Sequence, residues 1–270
     1  MRRSWFLARL GSACTAPSLV RAAEDRLAAI ETRGVLLVGL TGDYKPYSYL
    51  APDGSWSGLD VDVARALAEA LDVQVVFVKT SWTTMSADLS AGAFDIAMGG
   101  VSRDATRAAV GLLSAPYVRD GKVALIRVSD RATFHGLADL DVAAVRVAVN
   151  PGGTNESFVR AHFTHAQILV VDQNLAIPPM IAGGGADVVI TDGVEAALAV
   201  RNDPRLAVLD ASHPYTTLEK VYFLPKDASS LLAFVNDRMR TWSGDGTYAR
   251  WRTMWIGSDL NAPAREQVRP

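Results

Sequence analysis

From residue 33 onward, short apolar runs rich in Val, Ile and Leu alternate with amphipathic stretches, and this alternation constrains the fold more than any other feature. The runs at 35–40, 73–78, 95–98, 123–128, 145–149, 168–171, 186–190 and 221–224 have the length of buried strands rather than helices. Strands that alternate with helices predict an α/β fold with largely parallel sheets. Between the first two runs, residues 60–71 place Val63, Leu67 and Leu71 on one stripe, and Asp60 and Asp62 sit at the end where a helix dipole favours negative charge. Residues 154–163, 192–200 and 229–242 are further predicted helices. Tyr44-Lys45-Pro46 and Ala51-Pro52-Asp53-Gly54 punctuate a long loop, and 261–270, with two prolines and several charges, reads as a loose tail.

Composition narrows the chemistry. The 270 residues are 49% apolar and 21% charged, which suits a globular chain with a sizeable core. Lys and Arg number 27 against 29 Asp and Glu, so no basic field exists to hold nucleic acid, and no nucleic-acid partner is expected. A lone cysteine, Cys14, excludes an internal disulfide and any Cys-based zinc or iron–sulfur site. His162 and His165 stand at i, i+3 without a following ligand set, so neither a metal nor a cofactor is expected. Neither a Gly-X-Ser-X-Gly elbow, a phosphate loop nor a dinucleotide fingerprint occurs. Residues 1–23 read as an export signal with a cut after Ala22: Arg2 and Arg3 lead into a mostly apolar or small stretch that Arg9 and Pro17 keep too short to span a bilayer. A periplasmic location follows as an expectation.

The string Thr41-Gly42-Asp43-Tyr44-Lys45-Pro46-Tyr47, followed by Gly58-Leu59-Asp60-Val61-Asp62, resembles the opening of the family 3 periplasmic solute-binding proteins, the receptors of amino-acid ABC transporters. The likeness continues through Phe94-Asp95-Ile96-Ala97-Met98-Gly99-Gly100, Arg107, Ser114-Ala115-Pro116-Tyr117 and Ile190-Thr191-Asp192. Within that family, residues 114–122 and above all Val149-Asn150-Pro151-Gly152-Gly153-Thr154-Asn155-Glu156 resemble the cyclohexadienyl dehydratases, exported enzymes on the same scaffold. The resemblance implies the two-lobed α/β fold of type II periplasmic binding proteins, with two crossover hinge strands and ligand enclosed in the interlobe cleft. Lobe one would hold residues 24–126 plus 220–260, and lobe two 127–219.

The same resemblance distributes roles. Glu156 is the implied general acid, although a glutamate in a first helical turn also simply complements the helix dipole. A helix N-terminus lowers a carboxyl pKa whereas a general acid at neutral pH needs it raised, so burial would have to win at Glu156. Arg107, eight residues after Gly99, would hold a ligand carboxylate with its guanidinium fork, with Ser102 lining the cleft. Asp104 stands where the family commonly has Thr, and would either oppose a carboxylate ligand or orient Arg107. Gly152-Gly153 leads into a helix start where Thr154 and Asn155 would fix the ring end of a substrate; the alternative is a glycine turn with Thr154 as N-cap. Asp192 would meet a substrate ammonium or cap a helix. Tyr44, Trp82 and Tyr47 would form an aromatic wall, while Lys122 and Lys220 would stand near the interlobe region. Ile177-Pro178-Pro179-Met180 departs from the regular helix of relatives. Two functions fit: a prephenate or arogenate dehydratase, or an amino-acid receptor delivering ligand to an ABC permease.

Overall fold

A computed structural model describes residues 25–257; the signal-like segment and the tail at 261–270 lie outside them. Two five-stranded sheets organise the chain. In the first, the order is Gln74–Lys79, Val35–Leu40, Ile96–Ala97, Phe223–Pro225, Gly111–Leu113; the first three are parallel, and Phe223–Pro225 runs antiparallel to both its neighbours. In the second, Gln167–Val170, Arg146–Val149 and Val188–Asp192 are parallel, and Lys122–Arg127 lies antiparallel between Val188–Asp192 and Leu206–Leu209. The chain leaves the first sheet through Val118–Asp120 and returns through Leu218–Lys220, and these two segments pair antiparallel as the crossover. This is the two-lobed α/β architecture expected from the sequence.

Lys122–Arg127, expected as the last strand of lobe one, lies instead in the second sheet, so the passage between lobes falls at Gly121. All its backbone partners are distant in sequence, on strands that begin at Val188 and Leu206. The consecutive prolines do not prevent a helix either. Ile177–Ala182 is helical with Pro178 and Pro179 in its first turn, where backbone N–H groups lack intrahelical acceptors and none is lost.

Leu59–Ala70 turns Leu59, Val63 and Leu67 into the first core, as its stripe predicts, but it also buries Asp60 completely. That carboxylate accepts from the N–H groups of Gly99 and Gly100, both at 2.7 Å, and from the Tyr117 hydroxyl at 2.6 Å. Burial outweighs these donors and pushes its pKa up to about 6. Asp60 thereby fixes the Gly99-Gly100 bend at the cleft floor. Gly100 adopts φ +80°, and a Cβ there would lie 2.5 Å from the Tyr44 ring, so backbone and packing both require glycine.

Candidate functional site

The two lobes meet in a closed cleft whose remaining cavity is about 20 Å³, lined from lobe one by Tyr44, Trp82, Ser102 and Arg107 and from lobe two by Thr154 and Asn155, among others. Asp192 sits at the centre, at the end of its strand and in the N-cap position of Gly193–Asn202. It makes no capping bond through its side chain. Instead Oδ1 accepts from Lys122 Nζ at 2.7 Å, and Oδ2 accepts from Lys220 Nζ at 2.5 Å and from the Tyr44 hydroxyl. All three charged groups are at most 3% exposed. Burial works against the Asp192 anion, but the two ammonium groups more than offset it and hold the carboxyl well below its usual range. Lys122 is pulled down chiefly by desolvation, and the Tyr44 hydroxyl is pushed up by burial and by Asp192.

Each lysine is a junction. Lys122 also donates to Thr154 Oγ1 at 2.9 Å and to Asn155 Oδ1, so the Thr154–His162 helix start is read by a side chain from the neighbouring strand. Gly153, not Thr154, occupies the N-cap position, which leaves the Thr154 hydroxyl for Lys122. Lys220 donates to Gly100 O and Ser102 Oγ, both at 3.0 Å. The Lys122–Asp192–Lys220 chain therefore ties one lobe to the other. Asn174 adds a second tie from lobe two, donating to Asp43 O at 3.1 Å.

Arg107 is 6% exposed and lines the cavity. Its Nη1 donates to Ser102 O at 2.7 Å and pairs with Asp104 Oδ2 at 2.8 Å, while Asp104 Oδ1 caps the short helix by accepting from Arg107 N at 2.9 Å. Asp104 thus orients the arginine. Among the described residues Nε and Nη2 have no hydrogen-bond acceptor, and that edge is the one a carboxylate engages bidentately. Tyr44 stacks on Tyr47 with centroids 5.3 Å apart and meets Trp82 edge-on at 5.5 Å. Tyr47 is wholly buried behind them.

Glu156 does not join this constellation. It is absent from the cavity lining; Gly152 N donates to its Oε2 at 2.7 Å and Arg160 pairs with Oε1 at 2.6 Å. These contacts hold its carboxyl below the ordinary range, as expected of a helix-start anion with a cation one turn on, and burial does not overcome them. Glu195, at the start of the Gly193–Asn202 helix, is shifted the other way. It is buried, accepts from Asn174 Nδ2 at 2.8 Å and from the Thr191 hydroxyl, and desolvation, with help from Asp192, raises its pKa to about 7. Glu195, like Glu156, is absent from the cavity lining, but its partner Asn174 lines the cavity, so Glu195 stands one residue behind the cleft wall. Its spacing of three from Asp192 and four from Thr191 puts all three at one helix start, and that spacing was the available sequence signal.

Residues 36–258 match the model of the bacterial extracellular solute-binding proteins, family 3. The chain belongs to that family. It is 43% identical over 215 residues to the cyclohexadienyl dehydratase of Pseudomonas aeruginosa PAO1, a match that spans 80% of each chain. The L-cystine-binding protein TcyJ of Escherichia coli K12 is 28% identical over 88% of each chain. Among solved structures, an ancestral amino-acid-binding protein described as a precursor of cyclohexadienyl dehydratase superposes with a TM-score of 0.80 at 31% identity, covering 85% of this chain and 99% of that one. The chain's relatives thus include both a small-molecule receptor and a dehydratase.

Proposed function

We propose that the protein is a periplasmic dehydratase that converts prephenate to phenylpyruvate, with Glu195 as the general acid and Arg107 as the carboxylate anchor. The observation that carries this reading is geometric: the open Nε–Nη2 edge of Arg107 faces a cleft whose other charged groups, Lys122, Asp192 and Lys220, are already paired with one another, and the buried Glu195 carboxyl stands one residue behind the wall. A receptor for amino acids would need Asp192 free to meet an ammonium group, yet its oxygens are taken by two lysines. With Lys122 and Lys220 occupying Asp192, the group left open to a ligand is the guanidinium edge of Arg107, which suits a carboxylate and offers nothing to an ammonium. Prephenate carries two carboxylates and no ammonium, so it is preferred to arogenate. The 43% identity to a cyclohexadienyl dehydratase supports the same reaction, and the family together with the signal-like N-terminus supports export.

In this reaction Glu195 gives its proton to the departing ring hydroxyl, which leaves as water. The ring carboxylate leaves as carbon dioxide, its C–C bonding pair enters the ring, and aromatisation supplies most of the driving force. The dianion takes up one proton and becomes a monoanion, so the acid must be reprotonated after each turnover. The free Nε–Nη2 edge of Arg107 holds the side-chain carboxylate, Tyr44 and Trp82 flank the ring, and Lys122 with Thr154 and Asn155 orders the far end. A cavity of about 20 Å³ does not admit the substrate, so the lobes part to load it. The test is phenylpyruvate release from prephenate above its spontaneous breakdown, with calorimetry against L-amino acids alongside. Turnover without tight amino-acid binding is expected. Tight amino-acid binding without turnover would make the chain a transport receptor.

A further inference from the structure

A second cavity, about 590 Å³, opens on the face of lobe one, between the Ala115–Tyr117 segment and the helices Ser229–Gly244 and Thr247–Trp255. Its size falls within the range of small-molecule sites. Tyr117, Met239 and Tyr248 give it apolar walls, and Arg240 and Arg252 give it charge, with no carboxylate in the lining. Arg240 shares its charge with Asp237 at 2.9 Å. Arg252 shares its charge with nothing: among the described residues it has no side-chain hydrogen bond or ion pair, and its buried Nε lacks any acceptor. An arginine kept half-buried without a partner is costly unless something outside the chain completes it. The Tyr117 and Tyr248 hydroxyls are already committed to Asp60 and Tyr222, so the rings offer faces and edges rather than donors.

We infer that this cavity is a second binding site, for an organic monocarboxylate with an aromatic or apolar body, and that its occupancy is transmitted to the cleft. One unpaired guanidinium matches one carboxylate, and the tyrosine and methionine walls match a ring. Transmission has a short physical route. Tyr117 N–H donates to Lys220 O at 3.0 Å, and its hydroxyl donates to Asp60, which holds Gly99 and Gly100; Gly100 O in turn accepts from Lys220 Nζ. Tyr117 also runs directly into the crossover segment Val118–Asp120. A ligand packed against that ring bears on the hinge and the cleft floor together.

The test uses 4-fluorophenylacetate as probe and an Arg107→Gln background, which disables the carboxylate anchor in the cleft. Fluorine NMR titration is expected to detect binding that Arg252→Gln weakens at least tenfold. Ala249→Trp, an exposed position on the cavity rim, should block it without disturbing the core, and keeps the site testable if Arg252→Gln misfolds. Hydrogen exchange at residues 99–102 and 118–120 should slow with the probe and not respond once Arg252 is replaced. No millimolar binding in the Arg107→Gln background, or binding indifferent to both cavity variants, would overturn the site. Binding without any change at 99–102 or 118–120 would overturn the link to the cleft.

Discussion

Replacing Asp192 with Asn removes the one negative charge that joins Lys122 to Lys220 while keeping the side chain's shape. The amide loses an acceptor on one side and turns donors toward a lysine on the other. Breaking a buried ion pair by neutralising one partner costs ~3–5 kcal/mol, because the remaining charge stays desolvated. Here the protein has an escape: the Asp192–Lys220 and Asp192–Tyr44 bonds cross the cleft, so opening the lobes rehydrates both ammonium groups. The cost should therefore fall on the closed state. At about 1.4 kcal/mol per decade, it shifts the closed-to-open ratio by roughly two to three and a half orders of magnitude. Small-angle X-ray scattering of the ligand-free protein should register a larger radius of gyration for Asp192→Asn than for the parent. Raising the pH toward 10 should partly restore the compact form, because Lys122, already depressed by burial, then loses its proton. An unchanged radius of gyration and melting temperature in the variant would refute the view that this carboxylate latches the lobes.

Gly152 has φ +83°, and a Cβ there would lie 2.5 Å from Thr83 N across the cleft, so Gly152→Ala should lower kcat/KM by obstructing closure while far-UV dichroism stays unchanged. Activity needs Glu195 protonated, so kcat/KM should be flat below about 7 and fall about tenfold per pH unit above it; a limb at an ordinary glutamate pKa would contradict the burial. The folded pKa of about 7 exceeds the ordinary glutamate value of 4.5, so the folded state keeps this proton longer than the unfolded chain does. The associated stability is fully present below pH 4.5 and is lost as pH rises through 7, a difference of about 3 kcal/mol that urea melts of Glu195→Gln against the parent should register as a missing slope. Asp60→Asn turns an amide donor toward the Gly99 and Gly100 N–H groups and should cost about 1–3 kcal/mol, read as a lower Tm.

The parts of this architecture set by local pattern were legible in the sequence. The strand runs and the Leu59–Ala70 helix follow from periodicity, because the side chains that bury them recur at fixed spacing. Arg107 was singled out by the family resemblance and not by periodicity, and the structure places it in the cleft lining at the start of a short helix capped by Asp104. The place of Lys122–Arg127 was not legible, since its register is decided by strands more than sixty residues away. Nor was the pairing of Asp192 with two lysines from other segments, which turns a supposed ammonium contact into a bridge between lobes. The proposed acid is the sharpest case. Glu156 and Glu195 both lie in the first turn of a helix, and the local sequence favours the anion at each. Arg160, four residues on, is a local mark of the anion at Glu156; what is tertiary is the partial exposure there, against Asn174 and full burial at Glu195.

That distinction is also where the account is most directly tested. Phenylpyruvate release from prephenate should be measured for the purified protein, Glu195→Gln and Glu156→Gln side by side, near neutral pH and against the spontaneous rate. The account predicts turnover by the parent, a fall of about two to four orders of magnitude in Glu195→Gln, and retention of most activity in Glu156→Gln. Loss of activity in Glu156→Gln with Glu195→Gln unimpaired would contradict it.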